Sequence, residues 1–204
     1  RLYAGARVTT TAGEFMRVRE TLYGAAALCQ GYDTYISDIR AAGEKSVACG
    51  DIGLPSTACV DELDYGDIAV MEVSSFQLET LSSIRPHVAI VTNIAAGHLN
   101  RHYSMENYIF LKSKLLRNMR ESEYAVLNYD DPAVKNFASD ARCPVRWFSV
   151  RERVSGAYLF DGGLYFENEK IMDASDLPLQ GEHNVKNALA AVCAAKLAGV
   201  ASGV

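Results

Sequence analysis

Glu72 lies near the end of the apolar run Ile68–Val73, and the string Met71-Glu72-Val73-Ser74-Ser75-Phe76-Gln77-Leu78-Glu79 follows with little interruption. A carboxylate at that place stands where the ligands of open α/β sheets collect, or is a solvated glutamate at a strand end. A hydroxyl and an amide such as those of Ser74 and Gln77 can hydrogen-bond a diphosphate or a sugar, or cap a strand or helix end. Asn184 and Asn187 each present a donor and an acceptor together, which suits the edge of a nucleobase, or they are ordinary polar residues of a first helical turn. Lys112 has Tyr108 four residues before it and lies off the centre of an apolar helical stripe, as a surface lysine would, with Lys114 close by. His98 belongs to the polar string His98-Leu99-Asn100-Arg101-His102.

The elements that must position these residues are legible as a pattern. Apolar runs at Ile68–Val73, Val88–Thr92 and Tyr124–Asn128 are separated by helix-like segments near 55–63, 76–83 and 104–118. That alternation predicts a mostly parallel sheet with crossover helices on its faces, an α/β fold. Ser104 is placed to cap the 104–118 helix, in which Tyr108, Leu111, Leu115 and Met119 form the apolar face. Val145–Val150, and Ala157–Phe160 with Leu164–Glu167 around the turn Asp161-Gly162-Gly163, read as β-hairpin material. A last helix over 182–198 turns Val185, Leu189, Val192 and Ala195 inward and stops at Gly199. At the other end, Thr11 and Glu14 have capping-box spacing and start a predicted helix over 12–30, ended by Gly31; Tyr32–Ser37 then reads as a strand and 40–45 as a loop.

Composition narrows the function classes. The chain has 204 residues, 49% hydrophobic and 22% charged, enough for a sizeable core. A net charge of −5 with dispersed Lys and Arg leaves no basic stripe for a phosphate backbone, so nucleic acid is not an expected partner. Five widely spaced cysteines without a C-x-x-C pair fit a reducing cytoplasm. No apolar run approaches the roughly 20 residues that cross a bilayer, and no membrane insertion is expected.

Six strings fall in one order: Gly50-Asp51-Ile52-Gly53-Leu54-Pro55, Met71 to Glu79, Asn93-Ile94 with His98 to His102, Tyr108 with Lys112, Asn128-Tyr129-Asp130-Asp131, and Gly181-Glu182-His183-Asn184 with Asn187. Together they resemble the central, ATP-binding domain of the Mur ligase family, and Ser74-Ser75-Phe76-Gln77-Leu78-Glu79 resembles the D-glutamate-adding branch most. The resemblance implies a three-layer sheet of the P-loop type over 46–204, with 1–45 a remnant either of the family's Rossmann-like UDP-binding domain or of its P-loop helix. It implies ATP and Mg2+ as cofactors, and UDP-N-acetylmuramoyl-L-alanine and D-glutamate as substrates of an amide-bond ligase in peptidoglycan synthesis. By the same resemblance Glu72 is a metal ligand and His98 meets the metal or the sugar nucleotide. Lys112 is the lysine that the family carbamylates, which gives an anionic metal-binding group. Ser74, Gln77 and Asp51 face the UDP-precursor, and Asn184 and Asn187 meet the adenine.

Other residues depart from the family pattern. Where the family writes G-T-x-G-K-T-T, this chain has Val8-Thr9-Thr10-Thr11-Ala12-Gly13, without the P-loop lysine. Where it writes T-E-D-H-L-D-R-H, the string Ala95-Ala96-Gly97-His98-Leu99-Asn100-Arg101-His102 replaces three carboxylates by uncharged residues. Asp51 stands in place of an asparagine, and nothing after Val204 supplies the family's closing C-terminal domain. The expectation is therefore a ligase that turns over weakly or not at all as this chain alone. The alternative is a non-catalytic module that binds nucleotide or UDP-precursor. An uncovered cleft also predicts self-association.

Overall fold

The computed structural model describes residues 7–9, 15–17, 46–50, 54–59, 63, 67–96, 99–178 and 181–200. Its largest sheet has six strands: β5 (Val88–Val91), β6 (Tyr124–Asn128), β7 (Val145–Ser149), β8 (Gly156–Phe160), β9 (Gly163–Phe166) and β10 (Glu169–Asp173), hydrogen-bonded in the order β10-β9-β8-β7-β6-β5. Strands β5 to β8 are parallel, and β8-β9-β10 form an antiparallel meander. A second, two-stranded parallel sheet joins β3 (Ser46–Gly50) to β4 (Ile68–Glu72), with the short helix α1 (Ser56–Cys59) between them in sequence.

Alternate side chains of the parallel strands enter two different apolar layers. Val88, Ile90, Val126 and Phe148 pack with Leu189, Ala190, Cys193 and Ala194 of the long helix α6 (Glu182–Leu197). Ala89, Val91, Ala125 and Leu127 point the other way, onto Leu78, Leu115, Leu116 and Met119. Burial on both faces is why these strands read as unbroken apolar runs, and it makes the body a three-layer α/β/α stack. Ile68 and Val70 of β4 share the α6 layer with Val88 and Ile90, so the β3–β4 pair is packed into the same body.

On the second face lie α2 (Ser75–Thr80), α3 (Leu99–His102) and α4 (Met105–Ser113); α4 passes into a 3-10 turn over Lys114–Leu116. Beyond β6, α5 (Pro132–Lys135) starts under an Asp131 cap.

Several sequence expectations change. Within the predicted 12–30 helix, β2 (Phe15–Arg17) is a strand paired antiparallel with β1 (Arg7–Thr9), a strand pairing that outweighs a helical spacing of apolar residues. Its proposed cap, Thr11 with Glu14, lies outside the described residues, as do the predicted strand Tyr32–Ser37 and the loop 40–45. The 55–63 helix is helical only at Ser56–Cys59 among the described residues, and the 104–118 helix leaves α geometry after Ser113. Val145–Ser149 is a parallel strand between β6 and β8, not hairpin material, and β3 and β10 had no counterpart in the reading. In α6 the buried stripe centres on Leu189, Ala190, Cys193 and Ala194, with Val185 and Val192 only partly covered.

Candidate functional site

The carboxyl ends of β3 and β4 meet at Gly50 and Glu72, which are register partners. Gly50 has φ of 109°, and a Cβ there would overlap the Glu72 carbonyl, so a side-chain-free residue lets the two strand ends approach. Directly after Glu72 the chain turns into α2. Ser74 is its N-cap: the Ser74 Oγ accepts the Gln77 N–H at 3.4 Å and the Gln77 Oε1 accepts the Ser74 N–H at 2.9 Å. This reciprocal capping box fixes the exit from β4 and occupies one acceptor on each of the two side chains.

Lys112 is not a surface lysine. Its residue is 8% exposed although it carries a charge, because α4 turns it inward beside Tyr108, whose ring centroid is 5.2 Å from the Lys112 Nζ. Burial pulls the ammonium below the ordinary lysine range, and the Glu72 carboxylate opposes that shift. Glu72 of β4 is thus the charged group whose field favours the Lys112 ammonium of α4. Lys114 is engaged as well: it donates to the carbonyls of Leu78 and Glu79 at the C-terminal end of α2, the negative end of that helix.

His102 connects these elements. It is 1% exposed, its Nε2 lies 2.9 Å from the Ser75 Oγ and its Nδ1 3.6 Å from the Glu79 Oε1. Its ring stacks on Phe76 at 5.2 Å and lies tilted against Tyr108 at 5.4 Å between centroids. Glu79 in turn forms a two-point ion pair with Arg101, which holds its carboxyl below the usual range.

A second constellation sits at the carboxyl ends of β5 and β6. Thr92, Asn128, Asp130 and Asp131, with His183 and Asn187 of the first turns of α6, line a cleft of about 480 Å³. The Asn128 Nδ2 donates to the Thr92 carbonyl at 2.7 Å and the Asn128 Oδ1 accepts the Asp130 N–H at 2.9 Å. Asp131 accepts the N–H groups of Ile94, Ala133 and Val134, and Asp130 accepts the Ser149 hydroxyl at 2.6 Å and the Val150 N–H at 2.9 Å. Both carboxylates therefore spend acceptors on the loop itself, and the cleft that remains is polar rather than cationic. It suits a neutral heteroaromatic ring with hydrogen-bonding edges better than a bare phosphate. Lys186 also lines it and pairs with Glu182 at 2.6 Å.

Of the residues singled out from sequence, Lys112 is buried and feels the Glu72 carboxylate, Ser74 and Gln77 cap each other, and Asn187 lines the cleft. Asn184 is half-buried in the same helical turn and is not among the cleft-lining residues. Asp51 and His98 lie outside the described residues, as does Thr10 to Gly13 of the P-loop-like string. His102, His183, Asp130 and Asp131 were present in the quoted strings without a role. Their signal was that polar residues followed directly on apolar strands or stood in a helix start.

Among the described residues no group of three His, Cys, Asp or Glu side chains is placed to hold a metal ion. The half-buried Glu72 carboxylate and the oxygen atoms that a carbamylated Lys112 would carry are donors of the kind a hard divalent cation takes. No helix among the described residues is long and apolar enough to cross a membrane.

Comparison with known proteins gives a consistent outcome. A family profile described as the Mur ligase middle domain matches residues 17–195. The UDP-N-acetylmuramoylalanine–D-glutamate ligase of Streptococcus equi subsp. zooepidemicus is 42% identical over 172 residues, which are 84% of this chain and 38% of that protein. The chain thus spans well under half the length of that relative. Among solved structures, the UDP-N-acetylmuramoylalanyl-D-glutamyl-2,6-diaminopimelate–D-alanyl-D-alanyl ligase of Acinetobacter baumannii superposes with a TM-score of 0.65 at 18% identity, over 88% of this chain and 42% of that one. The MurF ligase of Thermotoga maritima in complex with ADP gives 0.64 at 14% identity, over 90% and 47%. At such identities these two likenesses concern the fold.

Proposed function

We propose, from the premise that this chain belongs to the Mur ligase family through its middle domain, that it serves the ATP-dependent addition of D-glutamate to UDP-N-acetylmuramoyl-L-alanine in peptidoglycan synthesis. The observation that carries the reading is the burial of Lys112 on α4, with the Glu72 carboxylate at the end of β4 opposing the effect of burial on its ammonium. The reaction takes place in the cytoplasm, where ATP and the sugar nucleotide are available. In it, the γ-phosphoryl group of ATP passes to the precursor carboxylate, and the amine of D-glutamate displaces phosphate from the acyl phosphate.

Each group in the chain has a part in this account. The neutral amine of Lys112 attacks the carbon of carbon dioxide, an N–C bond forms, and one proton leaves to solvent. Burial favours the neutral amine that this step needs. Glu72 and the resulting carbamate would hold a magnesium ion, with His98 as a further ligand. When bound, the ion supplies neutralisation of phosphate charge. Asn187, with Asn184 behind it in the same turn, hydrogen-bonds the adenine edge in the cleft. Ser74 and Gln77 lock the turn that presents their remaining donors and acceptors to the precursor, and Asp51 is a further residue for the same ligand.

A second reading, a module that binds nucleotide or precursor without turnover, is favoured by Ala96, Gly97 and Asn100, which stand where the family string carries carboxylates. Phosphate release from ATP with magnesium, bicarbonate and both substrates, each omitted in turn, decides between them, with Glu72→Ala as the control. Release that needs both substrates and disappears in Glu72→Ala supports the ligase. No substrate-dependent release from folded protein supports the module.

A further inference from the structure

Close to Lys112, against the Tyr108 ring that Lys112 also meets, a histidine is buried among three helices. His102 is the last residue of α3, and its contacts go to two neighbouring helices: Ser75, Phe76 and Glu79 on α2, Tyr108 on α4. Its carbonyl accepts the Asn107 Nδ2 at 3.0 Å and the Ser104 N–H at 2.8 Å, which ties the entry of α4 to the same residue. The two helices it joins carry the two ends of the site. Helix α2 leaves β4 just after Glu72 and is held by the Ser74–Gln77 capping box, while α4 carries Tyr108 and Lys112.

A single path of contact therefore runs from the β4 exit through Ser75 and Phe76 to the imidazole, from the imidazole to the Tyr108 ring, and from that ring to the Lys112 Nζ. We infer that His102 is a positioning residue: its ring, clamped by Ser75 and stacked between Phe76 and Tyr108, holds α4 in the register that sets Lys112 opposite Glu72. The inference rests on the reading of Lys112 as a functional amine. It assigns to His102 no contact with substrate.

An aromatic pair and a buried hydrogen bond are each small beside the stability of a whole domain, so loss of the ring is of the size that shifts a side chain without unfolding the protein. An imidazole does both tasks in one side chain. Phenylalanine keeps the stack and loses the Ser75 bond; alanine loses both.

The test is lysine methylene NMR on the whole chain, with the Lys112 signal assigned by its absence in Lys112→Arg. The nearby Tyr108 ring displaces this signal from the bulk lysines. The displacement is expected to fall at least threefold in His102→Ala and by a smaller factor in His102→Phe, with both proteins folded by thermal melting. If His102→Ala does not fold, His102→Phe decides alone. A wild-type displacement in the folded variants overturns the inference. Adding 13C-bicarbonate separates this from the proposed function. A carbamate signal absent from the wild type contradicts the carbamylation of Lys112, whereas a His102 effect seen without bicarbonate stands on its own.

Discussion

At the scale of single residues, Lys112 has the largest consequences. A buried ammonium whose pKa falls below the ordinary value costs stability wherever it stays protonated. The sign follows from linkage: between the lowered folded value and the ordinary lysine value near 10.4 the unfolded chain binds the extra proton, so stability rises with pH through that window. Lys112→Met removes the charge and keeps the volume. It is expected to leave stability unchanged or to raise it by about 1 kcal/mol at neutral pH, because an apolar replacement of a buried charge is often neutral or stabilising. The gap to the wild type should narrow as pH rises, as read by denaturant unfolding, while substrate-dependent phosphate release is lost. A Lys112→Met protein that is several kcal/mol less stable at neutral pH would show that the ammonium is held by stronger partners than Glu72 and the Tyr108 ring.

Among the elements, the turn that starts β6 shows how a buried carboxylate sets strand register. Glu123 is 2% exposed; burial raises its carboxyl, but the Arg85 guanidinium, the Arg120 N–H and the Ser122 hydroxyl outweigh that and hold it below the usual carboxylate range. A group with a lowered folded pKa contributes stability above its unfolded value, near 4.3, and loses it as pH falls through the folded value. Glu123→Gln should therefore cost about 2 kcal/mol at pH 7, the size of charge-assisted hydrogen bonds, and the difference should shrink on acidification below about pH 4. Thermal melts of both proteins across that range measure it. The strand that Glu123 introduces was legible in the sequence, because Val88–Val91 and Tyr124–Asn128 are buried on two faces and read as solid apolar runs. By contrast β3, Ser46-Val47-Ala48-Cys49-Gly50, is built of small residues with little β signal, and β10 is an edge strand whose Glu169 and Lys170 face solvent. The two antiparallel strands β1 and β2 depend on each other, which no local spacing reveals. The same distinction holds within the site. Glu72 could be found because it ends a strand, whereas the burial of Lys112 and the three-helix clamp on His102 are tertiary facts that a helical spacing cannot show.

For the whole molecule, the α/β/α stack puts two constellations at the carboxyl ends of its parallel strands: Glu72 with Lys112 beyond β4, and the Asn128–Asp131 loop with Asn187 beyond β5 and β6. In open α/β sheets ligands collect along that edge, so both constellations stand where a ligand of this fold would bind. The central claim is that the cleft receives adenine and that Asn187 reads its edge. Calorimetric titration of ADP into the wild-type chain and into Asn187→Ala tests it most directly. The account predicts one saturable site whose affinity falls about tenfold in Asn187→Ala, the loss of about 1.4 kcal/mol of hydrogen bonding. Equal affinity in the two folded proteins, or no saturable binding by the wild type, would contradict it.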